Sequence, residues 1–245
     1  SPRAFSAWGI AIGENSYAIG SRAINIGYRG NVDGNDAIGI GTRAFGTHKA
    51  SLNGITIGNQ ARAASSSVIN HIAIGNGAVT NSSYSLALGG NSQTGASSDY
   101  SIAIGHQAST GVSGAQGIAM GYSAFVGASD TIAIGSFASS NFTDAIAIGD
   151  QASGQAIDTV AIGRLAVGNQ ADAIAIGRQA RAEATGAVAI GAGVQAATAN
   201  YTTTKNLQIT NYAALDFAND SAAAAGGVPL GGVYHNNGAA RIRHT

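Results

Sequence analysis

Ile132-Ala133-Ile134-Gly135 is followed at a constant step by Ile146-Ala147-Ile148-Gly149, Val160-Ala161-Ile162-Gly163 and Ile174-Ala175-Ile176-Gly177. Beyond these four the same pattern, apolar-small-apolar-Gly, recurs along the chain and closes at Gly13, Gly27, Gly41, Gly58, Gly75, Gly89, Gly105, Gly121, Gly135, Gly149, Gly163, Gly177 and Gly191. Of the twelve intervals eight are 14 residues and the others 17, 17, 16 and 16, so the unit is 14 residues with small insertions. Three residues past the glycine a small residue recurs, as at Ala61, Ala108, Ala138, Ala152, Ala166 and Ala180, with Ser16 and Ser92 in the same slot and Gly30 and Val194 departing from it.

Fourteen residues are too few for a helical hairpin, and Ile-x-Ile alternates with the period of a strand. Each unit is therefore expected to run strand, turn, strand, turn, and to form one coil of an all-β parallel β-solenoid of about 13 coils. Glycine ends the strand where positive φ or close backbone approach is needed. Coils stacked at the parallel-strand spacing of about 4.8 Å make a rod of roughly 60 Å. The two isoleucines of a unit point to one face and the alanine to the other. A coil this small encloses few side chains and contacts only its neighbours, so the alanine face is expected to be an association surface. The plainer alternative is that alanine faces solvent as filler.

Composition agrees with a repetitive, sheet-rich chain: 36 glycines, 2 prolines, no cysteine and 10% charged residues in 245. Twelve basic and twelve acidic residues cancel, which gives no field for nucleic acid or anionic lipid. Apolar runs are too short to span a membrane as a helix, and Ser1-Pro2-Arg3 has no secretory layout, so the expectation is a chain that neither inserts in a membrane nor exports itself.

Five residues before the glycine stand Asp36, Asp130, Asp144, Asp158 and Asp172, with Asn53 and Asn70 in the same slot. Interchange of Asp and Asn fits turn formation through local backbone hydrogen bonds. The sharper alternative is a cation held along Asp130, Asp144, Asp158 and Asp172. Gln60, Gln107, Gln151 and Gln179, two residues past the glycine, suggest amide bonding between coils. Arg164 and Arg178 are expected to be solvated, with pairing to Asp150 or contact with an anionic glycan as the alternatives. His48, His71, His106, His235 and His244 show no metal-ligand spacing and are expected at the surface. No nucleophile elbow, phosphate loop or nucleotide fingerprint is present, and the aspartates form a column rather than a cleft, so neither enzyme activity nor a cofactor is expected.

The longer intervals mark insertions, which a solenoid extrudes as surface loops. They hold Thr47-His48-Lys49, Ser65-Ser66-Ser67, Gln93 through Tyr100, and Gly111-Val112-Ser113-Gly114. From these come the receptor-contact candidates His48, Lys49, Ser66, Thr94, Ser98, Tyr100 and Ser113. Tyr84, Tyr122, Phe125 and Phe137 add stacking surfaces or corner packing.

Units such as Thr131-Ile132-Ala133-Ile134-Gly135 and Asp144-Ala145-Ile146-Ala147-Ile148-Gly149 resemble the head repeats of YadA-like trimeric autotransporter adhesins over about residues 8 to 198. The resemblance implies a left-handed parallel β-roll, a side-by-side homotrimer and a role in adhesion. Residues 199 to 245 are expected to be a separate, non-repeating segment. There Gly226-Gly227-Val228-Pro229, Gly231-Gly232-Val233-Tyr234 and Ala240-Arg241-Ile242-Arg243 resemble a C-terminal segment of tailed-bacteriophage structural proteins. Read physically, Val233-Tyr234-His235 and Ala240-Arg241-Ile242-Arg243 make a hairpin that either caps the solenoid or joins it to a larger particle. The leading expectation is a non-enzymatic bacteriophage tail or virion fibre at the particle surface, attaching to a host cell-surface glycan or protein. Its tail segment would contact other virion proteins. The alternatives are the head of a bacterial trimeric adhesin on the outer surface and a structural spacer or decoration fibre without a receptor. An ice-binding solenoid ranks last, since Ile55-Thr56-Ile57 is a solitary threonine copy.

Overall fold

The computed structural model describes residues 1–43, 45–46, 52–64, 67–204, 218–226, 228, 233–236 and 239–242. The chain divides into two compact units, Ser1–Lys205 and Asn206–Thr245.

The first unit is a parallel β-solenoid. Every Ile-x-Ile motif forms a three-residue strand, from Ile10–Ile12 to Val188–Ile190, and these join in order into one 14-stranded sheet. Pairing is in register throughout: Ile132 lies against Ile146, Ala133 against Ala147 and Ile134 against Ile148. Two-residue strands on the opposite side of each coil build a second layer as a 6-stranded and a 7-stranded sheet. Between those two sheets Gln93 alone bridges Val79 and Ser109, because its coil carries an insertion there. The fourteenth strand of the long sheet is Thr202–Thr204, which pairs with Val188–Ile190. No glycine follows those threonines, so the repeat pattern does not reveal them.

The faces are the reverse of the expectation stated above for alanine. Ala73, Ala87, Ala103, Ala119, Ala133 and Ala147 are completely buried, and the isoleucines around them point outward, half-exposed. The cause is the width of the coil. Each coil turns four positions inward: the motif alanine, the residue four before the glycine, and those three and five after it. In the last full coils these are Ala175, Ala173, Ala180 and Ala182, all fully buried. Four Cβ-sized groups fill that cross-section, and an isoleucine in one of the slots would overpack it.

In two coils a larger inward residue is faced by a glycine. Asn25 replaces the motif alanine and is buried, and a Cβ on Gly30 would lie 2.4 Å from Asn25 Oδ1. This accounts for Gly30 departing from the small-residue slot. Gly117 likewise makes room for Val126, where a Cβ would sit 2.6 Å from Val126 Cγ1.

The motif glycines are demanded by stacking. Their φ values run from 113° at Gly13 to 150° at Gly27. A Cβ at Gly135 would meet the carbonyl oxygen of Gly149 at 2.4 Å.

In the second unit, Asp220–Ala225 is a short helix in the alanine run, with Asn219 as N-cap accepting a hydrogen bond from Ala222 N at 2.9 Å. Val233–Asn236 and Ala239–Ile242 pair as an antiparallel hairpin, Val233 opposite Ile242.

Candidate functional surfaces

Two columns of turn residues run along the corners of the solenoid, one two residues after the motif glycine and one five before it. Both hold the left-handed backbone conformation. Gln107, Ser123, Phe137, Gln151, Leu165 and Gln179 occupy the first, and Asp130, Asp144, Asp158 and Asp172 the second, all with φ between 51° and 61°. Asn and Asp tolerate this conformation best. The column nonetheless takes Trp8, Arg22, Tyr84, Tyr100 and Gln116, because the coil fixes its backbone whatever the side chain.

The four aspartates are exposed, and their backbone N–H groups bond to the preceding coil, Asp130 to Ala115 O at 3.0 Å and Asp172 to Ile157 O at 3.2 Å. They serve as turn residues. Among the described residues no group of three or more His, Asp or Glu side chains gathers that could hold a metal. Asp36 is met by Arg22 of the coil before it, Nε to Oδ1 at 2.5 Å and Nη2 to Oδ2 at 2.6 Å. That two-pronged hydrogen bond holds the Asp36 carboxyl below the usual range.

The expected glutamine ladder does not form. Gln151 and Gln179 are separated by Leu165, and Gln107 is followed by Ser123 and Phe137, so their amides are never in adjacent coils. Gln107 Oε1 instead accepts from Ser123 Oγ at 3.3 Å. Arg164 and Arg178 are exposed. The ion pairs among the described residues are Arg22–Asp36 and Arg181–Glu183, so neither of the two joins Asp150.

The insertion at Gln93–Tyr100 folds partly inward. Thr94 and Ser98, expected as receptor contacts, are completely buried. Thr94 Oγ1 accepts from Asn81 N at 3.1 Å and Ser82 Oγ at 3.2 Å, and lies 3.3 Å from Ser85 Oγ. Ser98 Oγ accepts from Gly114 N at 3.1 Å and donates to Gly111 O. Both hydroxyls satisfy backbone that the extra residues would otherwise strand in the interior. The inserted segments of neighbouring coils are themselves stacked, Ser97 N bonding to Val112 O at 3.1 Å. Their outer surface is Ala96, Ser97, Asp99, Val112 and Ser113. Tyr100 is exposed and stacks on Tyr84, with centroids 4.9 Å apart and planes 7° from parallel. His48, Lys49 and Ser66 lie outside the described residues.

His71 corrects the surface reading of the histidines. It is completely buried in the column four before the glycine, where neighbouring coils carry Gly54 and Ser85, and neither ring nitrogen has a hydrogen-bond partner. Burial pushes its pKa down to about 4. The signal was available: aligned on the glycine, His71 falls in a column of alanine, glycine, serine and threonine. His106 is exposed and begins an aromatic run on the first-turn corner. It stacks on Tyr122 at 5.5 Å, and Tyr122 meets Phe137 edge-on at 5.1 Å.

The largest feature is the outer face of the long sheet. Its two side-chain columns, beginning Ile10, Ile24, Ile38 and Ile12, Ile26, Ile40, hold only Ile, Leu, Val and Met up to Val188 and Ile190. Along about 60 Å no charge interrupts them. Ile162, Ile176 and Ile190 remain 37–42% exposed, so this face lacks a cover among the described residues.

The profile of the YadA head domain repeat, a unit of two copies, matches residues 72–92, 93–111, 113–138 and 169–193. Among solved structures, the collagen-binding domain of the Yersinia adhesin YadA is similar at 24% sequence identity and a TM-score of 0.49, over 64% of this chain and 81% of that one. No curated protein sequence matches the chain. Over the matched segments, the solenoid is built of YadA-head-like repeats.

Proposed function

We propose that this chain is the head of a trimeric, non-enzymatic adhesin-type fibre that stands outside the cell and attaches to a host surface. The observation that carries the reading is the combination of YadA-head-like repeats with an isoleucine face left half-exposed among the described residues. Burying a half-exposed isoleucine contributes about 1 kcal/mol, and each coil brings two aliphatic side chains to that face. A second and a third copy are the occupants that the adhesin resemblance implies. The remaining faces, with turn corners and stacked insertions, then repeat around the axis, so that weak contacts gain by avidity.

The adhesin head stands ahead of the bacteriophage fibre because the matched repeats are those of an adhesin, whereas the phage reading draws on tail residues alone. No helix among the described residues is long and apolar enough to cross a membrane. No catalytic step is proposed, since each column aspartate sits in its own exposed turn rather than in a shared cleft.

Beads coated with the purified chain should adhere to cultured animal cells or to extracellular matrix, and do so less when the chain is made monomeric by Ile134→Glu with Ile148→Glu. Beads that adhere no better than albumin-coated controls to every surface would leave the spacer reading in place of this one.

A further inference from the structure

We infer that the first-turn corner between Gln151 and Gly193 binds an acidic glycan laid along the solenoid axis. The inference deepens the surface-attachment reading and rests on it. Four successive coils open there into a groove of ≈ 430 Å³. One wall is the turn column, Gln151, Leu165, Gln179 and Gly193; the other is the outer side of the second sheet, at Val167, Arg181 and Gln195. The opening has a local cause. Gly193, like Gly77 earlier in the same column, contributes no side chain, and a Cβ there would meet nothing within 4 Å.

The lining suits a sugar chain. Leu165 and Val167 are half-buried and give an apolar floor on which the C–H face of a pyranose can rest. Gln151, Gln179 and Gln195 are exposed, and each amide both donates and accepts, as hydroxyls require. Arg164 and Arg178, outside the lining itself, immediately precede Leu165 and Gln179 on successive coils, where Gln179 N bonds to Arg164 O at 2.8 Å and Arg178 Nη1 donates to Gln179 Oε1 at 3.4 Å. Arg181 is committed to Glu183 at 2.8 Å, whereas Arg164 and Arg178 make no ion pair among the described residues. The remaining carboxylate nearby is Asp150, one coil before Arg164. Two guanidinium groups against one carboxylate leave donors for an incoming anion, and the guanidinium fork fits a carboxylate.

The coil repeat of about 4.8 Å sets these groups as a ladder parallel to the long axis, which fits a linear polymer rather than a compact ligand. On the same corner the preceding coils carry Tyr122 and Phe137, 48% and 53% exposed, a stacking surface for a chain leaving the groove. None of these residues belongs to the isoleucine columns. A peptide fits less well, because the backbone here is already bonded coil to coil and offers no strand edge to extend.

The test is calorimetric titration of the full chain with hexagalacturonate, maltohexaose and hexaglutamate, with bead adhesion measured on the same preparations. Hexagalacturonate should bind and maltohexaose should bind more weakly. Arg164→Ser with Arg178→Ser should weaken uronate binding about tenfold or more. Gly193→Phe should abolish it by filling the groove, in a column that already holds Phe137 at a φ of 54°. Both variants should keep the circular dichroism of the parent. Absence of uronate binding, equal binding of hexaglutamate, or unchanged binding by both variants overturns the site. Adhesion that persists without uronate binding overturns this inference and leaves surface attachment standing; uronate binding without adhesion does the reverse.

Discussion

At the scale of single residues, the structure is governed by what each slot of the coil permits. Gly135 has a φ of 137° and its missing Cβ leaves room for the Gly149 carbonyl. Gly135→Ala combines a backbone region open essentially to glycine with a 2.4 Å clash, and should cost about 3 kcal/mol, seen as a lowered thermal midpoint. Asp144→Ala, in a left-handed slot that tolerates many side chains, should cost about 1 kcal/mol or less. His71 adds a pH dependence. Its folded pKa of about 4 lies below the ordinary histidine value of 6.5, so the unfolded chain binds the proton first as pH falls. Its contribution to stability is full above pH 6.5, declines by about 1.4 kcal/mol per pH unit toward pH 4 and is level below that. The total is roughly 3 kcal/mol. His71→Ser, the residue type of the next coil, should remove this slope in urea titrations run across the same range; an unaltered slope contradicts the assignment.

At the scale of the coil, inward residues are chosen as sets rather than singly. Asn25 bonds through Nδ2 to Tyr17 O at 3.0 Å and occupies the space that Gly30 leaves. Gly30→Ala alone should therefore destabilise, and should be nearly neutral in an Asn25→Ala background, with a coupling of about 1 kcal/mol or more in a double-mutant cycle. Additive effects would mean that the two residues do not share that space. The repeat itself was legible in the sequence because each coil makes the same contacts as the last, so Ile-Ala-Ile-Gly recurs with its spacing intact. Its orientation was not. A period of two states only that Ile146 and Ala147 face opposite ways; which one goes inside depends on the distance between the two strands of the coil, set by turns whose left-handed residues are as varied as Phe137, Leu165 and Gln179. For the same reason Thr94 and Ser98 read as loop residues, although the insertion they belong to folds back over the interior. The groove was legible only in part, through the neighbouring Arg164 and Arg178, since Gln151, Leu165, Gln179 and Gly193 form one wall only once their coils are stacked.

At the scale of the molecule, the inward alanines and outward isoleucines together determine behaviour in solution. A core of Cβ-sized groups gives each coil little apolar burial of its own, while the outer face carries the larger aliphatic area. The solenoid is therefore expected to complete its hydrophobic burial between chains. The most direct measurement is sedimentation equilibrium of the wild-type chain beside Ile134→Glu with Ile148→Glu. The account predicts three times the chain mass of 24.1 kDa for the wild type, and 24.1 kDa with unchanged β-sheet circular dichroism for the variant. A wild-type chain that sediments at 24.1 kDa at all concentrations, with its isoleucine face open to water, would contradict it.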